Sequence, residues 1–208
     1  MENAREILHK GMAQLGINTQ TEPVYWEYLK LLKHWNRAYN LVASTDDDIL
    51  VRRHLLDSLS VLQYVKPGHC LDVGTGAGLP GLPLAVTMPE SEWVLLDSNG
   101  KKTRFCAQAV HELGLENVRV VQKRLEKYVP DVLFDSVISR AFSSAAKFVQ
   151  LSGHLVASEG RQIAMKGQVS EDEKQEVIAT GMRMKVFRLS VPGLDEQRHV
   201  MIIQNKDG

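Results

Sequence analysis

Asp72-Val73-Gly74-Thr75-Gly76-Ala77-Gly78-Leu79-Pro80-Gly81 decides how this chain is read. The short apolar run His69-Cys70-Leu71 leads into it, and Leu82-Pro83-Leu84-Ala85-Val86 continues from it with a helical pattern. A strand, a glycine-rich turn and a helix, in that order, bring a helix N-terminus and backbone N–H groups to a nucleotide-like ligand. Glycine serves such a turn where φ becomes positive and where a side chain would hold the ligand off the backbone.

Working outward, strands are predicted at 69–73, 92–97, 118–121, 134–138 and 162–166, with helices at 82–88, 100–113, about 143–157 and 170–180. This alternation predicts an α/β fold: a Rossmann-like, mostly parallel doubly wound sheet with helices on both faces. The end of the chain departs from it. Residues 182–189 and 198–203 read as strands joined through Pro192-Gly193-Leu194-Asp195-Glu196, too short for a crossover helix, so an antiparallel C-terminal hairpin is predicted.

Upstream, residues 1–65 read as an N-terminal helical extension and 66–208 as the α/β domain. Helices are predicted at 4–15 and about 23–39. In the second, Tyr25, Tyr28, Leu29, Leu32, Trp35 and Tyr39 recur at helical spacing, which predicts packing against the main domain. A third helix opens at Thr45-Asp46-Asp47-Asp48, with Thr45 as the expected cap and the acids suited to the helix dipole. Ile49, Leu56, Leu59 and Leu62 are its expected apolar face.

Lys+Arg and Asp+Glu balance at 25 each, so any affinity for nucleic acid must come from local patches. The two cysteines form neither a disulfide framework nor a metal-ligand pattern. No apolar stretch approaches the about 20 residues of a membrane span, and residues 1–6 lack a leader's apolar run. The expectation is a cytoplasmic monomer with no bound metal and no membrane partner.

Two glycine registers compete for the ligand. Gly76-x-Gly78-x-x-Gly81 matches the dinucleotide fingerprint, whereas Asp72-x-Gly74-x-Gly76-x-Gly78 matches the turn of enzymes that use S-adenosylmethionine. The second begins directly after the strand. Asp97 closes the next strand, where an acid accepts ribose hydroxyls from either ligand. The antiparallel ending decides, because a dinucleotide domain normally carries a second mononucleotide-binding half. S-adenosyl-L-methionine is therefore the expected cofactor, held by Gly74, Thr75, Gly76, Gly78 and Asp97, with the adenine near Lys123-Arg124-Leu125-Glu126. Gly81 becomes a helix-packing residue.

With these pieces assembled, the sequence resembles the bacterial 16S ribosomal RNA guanine-N7 methyltransferases, also called small-subunit methyltransferase G or glucose-inhibited division protein B. The matching stretches are Trp35-Asn36-Arg37-Ala38-Tyr39-Asn40-Leu41, Arg53-His54-Leu55-Leu56-Asp57-Ser58, Asp72 to Gly81, Leu96-Asp97-Ser98, Phe134-Asp135-Ser136-Val137-Ile138-Ser139-Arg140-Ala141 and Met165-Lys166-Gly167. The resemblance implies methylation of N7 of one guanine in the decoding region of 16S rRNA. It also implies cofactor contacts at Gly74, Leu79, the Leu125–Glu126 pair and Arg140.

The residues fit that chemistry. N7 of guanine carries a free lone pair and no proton, so no general base is needed and positioning can dominate catalysis. The Asn/Asp-Pro-Pro-aromatic motif that accompanies exocyclic-amine methylation is replaced here by Ser139-Arg140-Ala141-Phe142. C5 methylation of a pyrimidine needs a nucleophilic cysteine, and Cys70 in a strand and Cys106 in a helix are unsuited to it. No residue is singled out with certainty as catalytic; Arg140 and Lys166, at strand ends, are the candidates.

Arg140 could pair with the methionine carboxylate or the guanine's acceptor edge, but donating to N7 would block its lone pair, so a ligand-holding or phosphate role is expected. His54 and Asp57 share a helix face and either border the pocket or anchor the helix. The expected RNA-binding residues are Arg53, Lys101, Lys102, Arg104, Lys123, Arg124, Lys166 and Arg198, a basic rim on a neutral protein. Since N7 lies in the deep, narrow groove of A-form RNA, the target base is expected in a loop or splayed from its stack. It could be presented by a small-subunit assembly intermediate.

Overall fold

A computed structural model describes residues 3–140 and 142–205, so Ala141 of the quoted motif and Met1 and Glu2 lie outside the described residues. The core of the fold is one seven-stranded sheet in the order β3-β2-β1-β4-β5-β7-β6. Its strands are β1 (His69–Val73), β2 (Glu92–Asp97), β3 (Val118–Gln122), β4 (Phe134–Arg140), β5 (Val156–Lys166), β6 (Arg183–Leu189) and β7 (Arg198–Gln204). The first five run parallel. β7 inserts antiparallel between β5 and β6, which is the predicted hairpin.

Alternation along the buried strands divides the sheet into two packed faces. Cys70, Trp93, Leu95 and Ile138 point to one apolar cluster, and Leu71, Val73, Val94, Leu96 and Val137 to the other. The first cluster is shared with the N-terminal helices α1 (Ala4–Gln14) and α2 (Glu22–Tyr39), through Leu8, Met12, Tyr25, Tyr28, Leu29 and Leu32. Tyr25, Tyr28, Leu29 and Leu32 of the stripe therefore pack on the α/β core, while Trp35 is half-buried against it and Tyr39 stacks on Trp35. Two of its rings also end in hydrogen bonds: Tyr25 Oη–H donates to Pro83 O at 3.2 Å and Tyr28 Oη–H to Ala77 O at 2.7 Å. Tyr28 thus reaches from α2 to the glycine turn.

The third helix departs from the expectation. Residues 47–59, here α3, begin as an α turn (Asp47–Ile49), widen to a π-helical stretch (Leu50–Leu56) and close as a second α turn (Asp57–Leu59). Asp46, not Thr45, caps it, with its carboxylate accepting from Ile49 N at 3.1 Å. The wider turn adds about one residue per insertion relative to α geometry. It buries Leu50, Val51, Leu55 and Leu56 together, whereas Ile49 and Leu62 of the expected face are only half-buried.

The remaining helices are α4 (Gly81–Thr87), α5 (Gly100–Glu112), α6 (Ala145–Ser152) and α7 (Glu171–Ala179). α6 is shorter than predicted because a single 3-10 turn at Gly153–Leu155 follows it. β5 is longer, starting at Val156 instead of 162. Its Gly160 makes the extension possible: a Cβ there would lie 2.7 Å from Phe134 O, at the place where the β4–β5 register shifts.

Candidate functional site

β1 and β4 are sheet neighbours whose following helices cover opposite faces, so their carboxyl ends form the switch point where open α/β sheets hold ligands. The glycine turn sits there. Gly74, Gly76 and Gly78 have φ of +67°, +61° and +82°, the left-handed region that residues with a Cβ rarely adopt. All three belong to the register that starts at Asp72. Gly81 has another reason to be glycine: a Cβ there would lie 2.3 Å from Leu95 Cδ2 and 2.7 Å from Asp72 Oδ2. It is a packing residue beneath the sheet, as read from the sequence.

Asp72 organises the turn from below. It is fully buried, and its Oδ2 accepts from Thr75 Oγ1–H at 2.6 Å and from Gly81 N–H at 2.8 Å. Burial pushes its carboxyl up to about 6, against the pull of those two hydrogen bonds and of Arg140. Above the turn, Asp97 Oδ2 accepts from Gly76 N–H at 3.0 Å and its Oδ1 from Asn99 N–H at 2.8 Å, while Lys102 Nζ lies 4.0 Å from Oδ2.

The turn differs in one respect from the expected donor-rich loop. Its N–H groups at Gly74, Thr75, Gly76, Gly78, Leu79 and Gly81 are taken by Leu96 O, Leu96 O, Asp97, Thr75 O, Thr75 O and Asp72 respectively. The turn therefore offers a ligand a smooth wall more than a nest of free donors. Gly74 supplies that wall, since a Cβ on it would meet nothing within 4 Å.

A cleft of about 200 Å³ opens beside Gly74, lined by Val73, Leu96, Asp97, Ser98, Lys123, Arg124, Leu125, Glu126, Phe142 and Leu151. Four of the residues expected at the cofactor line it directly: Gly74, Asp97, Leu125 and Glu126. Thr75, Gly76, Gly78 and Leu79 instead build the turn behind it, with Thr75 and Leu79 buried. Phe142, Ser98 and Leu151 were not predicted; Ser98 alone had a signal, as the residue after Asp97. An acid with two oxygens at a strand end, an open Cβ-free wall and an apolar slot are what an adenosine-bearing ligand requires.

A second pocket, of about 420 Å³, lies at the ends of β4, β5 and β7. Arg53, His54 and Asp57 reach it from α3, Arg140 from β4, Met165, Lys166 and Gly167 from β5, and Leu189, Arg198 and His199 from the hairpin. Arg140 thus faces this second pocket, two residues before Phe142 of the first. Its charge acts on His54, Asp57 and Asp72, so it stands between the two cavities.

The ionic pattern is dense. Arg140 Nη1 donates to Asp57 Oδ2 and to Arg53 O, each at 3.3 Å, and Arg198 Nε donates to Asp57 Oδ1 at 3.2 Å. Glu196 accepts from Arg198 Nη2 at 2.8 Å and from Arg53 Nη2. Burial raises the Asp57 carboxyl, opposed first by Arg140 and then by Arg198. His54 is pushed down to about 4, first by burial and next by Arg140, so its ring is neutral at pH 7. Its Nδ1 is buried and has no partner among the described residues.

Lys166 lines the same pocket, but its ammonium donates to Phe142 O at 2.9 Å and pairs with Glu173 at 2.6 Å. Two of its three donors hold β5, α7 and the segment after β4 together, which leaves less for the substrate role read from the sequence. Arg53 and Arg198 are likewise partnered by acids. Lys123 and Arg124 are exposed on the rim of the first cleft. Lys101, Lys102 and Arg104 lie on the first turns of α5, and Arg104 Nε donates to Gly100 O at 3.1 Å. Neither cysteine is poised for attack. Burial pushes the Cys70 thiol up to about 12 and the Cys106 thiol higher still, and Cys106 Sγ–H points to Gly76 O at 3.5 Å.

Comparison with known proteins agrees with this geometry. The family model described as rRNA small subunit methyltransferase G matches residues 23–201. Curated proteins named ribosomal RNA small subunit methyltransferase G are close in sequence. That of Hahella chejuensis is 45% identical over 203 residues, covering 97% of this chain and 94% of the relative. That of Marinobacter nauticus is 46% identical over 198 residues, covering 94% and 92%. Among solved structures, an S-adenosylmethionine-dependent methyltransferase from Aquifex aeolicus superposes with a TM-score of 0.58 at 19% identity, over 76% of this chain and 93% of its own. The fold is thus that of the class I methyltransferases, and the chain belongs to the rRNA small subunit methyltransferase G family.

Proposed function

We infer that this protein transfers the methyl group of S-adenosylmethionine to N7 of a guanine in the decoding region of 16S rRNA. The family match across residues 23–201 carries the reading. Within it, residues 66–208 act as the methyltransferase domain and residues 1–65 as a helical extension that supplies one wall of the substrate pocket. S-adenosylmethionine, when bound, supplies a methyl group on a positively charged sulfur.

Several observations support that ligand. Six of the turn's N–H groups are already satisfied within the protein, so it suits a ligand without a pyrophosphate better than a dinucleotide. Gly74 gives the ligand backbone contact that any side chain would prevent. Asp97 would hold the ribose hydroxyls, Leu125 and Glu126 would border the adenine, and Arg140 would hold the amino-acid end or a nearby RNA phosphate.

The second pocket suits a target base that needs no deprotonation. Its one histidine is neutral and buried, its carboxylate Asp57 is taken up by two arginines, and Lys166 is paired with Glu173. A bound S-adenosylmethionine would supply an electrophilic methyl group, and N7 would need no base here because its lone pair is already free. The protein's part is then to align the base and exclude water. Lys101, Lys102, Arg104, Lys123 and Arg124 form the basic rim toward RNA phosphates. The test is incubation of the purified protein with donor carrying a labelled methyl group and unmethylated 16S rRNA or small subunits, followed by digestion to nucleosides. Label in N7-methylguanosine is the expected product; label in another nucleoside, or none, overturns the reading.

A further inference from the structure

The wall of the larger pocket contains an ion cluster that methyl transfer to a free lone pair does not itself require. Asp57 is 4% exposed, yet it sits between two guanidiniums from distant parts of the chain. Arg140 is 83 residues away in sequence and Arg198 is 141. The three meet because Asp57 begins the α turn after the π-helical stretch, Arg140 ends β4 and Arg198 begins β7. Each carboxylate oxygen takes one arginine, at 3.3 Å and 3.2 Å, so both face protein donors.

The arginines face the pocket on their other sides. Arg198 is fixed twice more, by Gln197 O at 2.9 Å and Glu196 at 2.8 Å. Arg140 uses only Nη1 for its contacts to Asp57 and Arg53 O, and its Nε and Nη2 have no partner among the described residues. Two guanidiniums on one wall repel each other, and each long side chain has many rotamers to lose. A buried carboxylate between them offsets one charge and fixes the direction of both planar forks.

We propose that Asp57 is a positioning residue for methyl transfer: it orients Arg140 and Arg198 on the pocket wall that receives the rRNA, and touches neither the RNA nor the methyl donor. This rests on the function inferred above. A carboxylate that merely pinned α3 to the sheet would affect stability alone; one that aims two arginines affects turnover in folded protein. Asp57→Asn keeps the shape but removes the charge and turns an N–H toward one guanidinium. The cations that attract RNA all remain, so affinity for RNA is kept while alignment is lost.

The experiment is steady-state kinetics on unmethylated small subunits at saturating methyl donor, with thermal melts of every variant. Asp57→Asn lowers kcat at least tenfold with less than a threefold change in KM for RNA, and Asp57→Glu, which keeps the charge on a longer arm, recovers at least threefold of the loss yet stays at least twofold below wild type. In an Arg140→Ala background, Asp57→Asn adds less than threefold. A wild-type kcat in folded Asp57→Asn, a rise in KM alone, or full additivity with Arg140→Ala overturns the proposal. Should Asp57→Asn not fold, Asp57→Glu carries the test, since a wild-type kcat there is incompatible with fixed aiming and a reduced kcat at wild-type KM supports it. Wild-type protein on the same substrate separates the two claims: no methyl transfer by wild type refutes the functional reading, not the role of Asp57.

Discussion

Gly74→Ala and Gly81→Ala carry the same chemical change seven residues apart, and the structure predicts opposite consequences for them. At Gly74 the added methyl group meets nothing within 4 Å, but the backbone is left-handed at φ +67°. An L-residue there costs about 1–2 kcal/mol. At Gly81 the backbone is ordinary, but the methyl group would lie 2.3 Å from Leu95 Cδ2, 2.7 Å from Asp72 Oδ2 and 2.9 Å from Asp72 Cβ. Asp72 cannot retreat, because it holds Thr75 and the Gly81 N–H itself. Overpacking of this kind costs about 1–3 kcal/mol, and the immobile neighbour puts Gly81→Ala at the upper end. For a chain of this size that is a fall in Tm of roughly 6–12 °C.

Ligand binding should divide the other way. The Gly74 methyl group projects into the cleft, so Gly74→Ala weakens binding of S-adenosylhomocysteine at least tenfold, or about 1.4 kcal/mol. Gly81→Ala, measured below its melting transition, binds within about threefold of wild type, a difference under about 0.7 kcal/mol. Urea titration gives the stabilities and calorimetry the affinities. Unchanged binding by Gly74→Ala, or a larger binding loss from Gly81→Ala, would refute the assignment of the cleft.

Three further outcomes are expected. Asp97→Ala removes the carboxylate proposed to hold the ligand's ribose and also the acceptor for Gly76 N–H and Asn99 N–H, so it loses about 1–3 kcal/mol of stability besides affinity for S-adenosylhomocysteine; a melt identical to wild type would contradict the turn's hydrogen bonding. Tyr28→Phe leaves Ala77 O without its 2.7 Å bond and destabilises by about 1–2 kcal/mol in urea, the penalty of an orphaned buried acceptor; no change would show that the bond contributes nothing. The third concerns pH. The Asp72 carboxyl moves from 3.8 to about 6 on folding, so folding favours its protonated form and its contribution to stability declines by about 3 kcal/mol as pH rises from about 4 to about 6. His54 moves from 6.5 to about 4, so folding favours its neutral form and stability is lost as pH falls through the same window. The two oppose each other in the wild type. Asp72→Asn should therefore make Tm fall more steeply from pH 6 to pH 4, and His54→Gln should make it fall less steeply or rise. Identical slopes in melts of all three proteins would contradict both assignments.

The strands around the switch point were legible because they alternate or run apolar over a few residues, as 69–73 and 92–97 do. The hairpin was legible because the eight residues between Leu189 and Arg198 cannot house a crossover helix. The glycine register was legible because Asp72-x-Gly74-x-Gly76-x-Gly78 starts directly after the strand and the chain ends in a hairpin instead of a second mononucleotide-binding half; the structure adds that Gly74, Gly76 and Gly78 have positive φ while Gly81 lacks room for a side chain. What escaped was what depends on tertiary register. A π-helical stretch at Leu50–Leu56 leaves no mark in a 3.6-residue pattern. The self-satisfied turn was invisible because Asp97 reaches Gly76 from another strand. Lys166 looked free in sequence and is tied to Glu173. Arg53, Asp57, Arg140 and Arg198 were each noticed, but nothing in their spacing showed that one carboxylate would join two of the arginines across 83 and 141 residues.

The central claim, that this chain methylates N7 of one guanine in 16S rRNA, is tested most directly by mapping methylated nucleotides in 16S rRNA from cells with the gene, without it, and with the Gly74→Ala variant in its place. The account predicts one N7-methylguanine in the decoding region with the gene, its absence without it, and a reduced level with Gly74→Ala. A methylation map unchanged by deletion of the gene would contradict it.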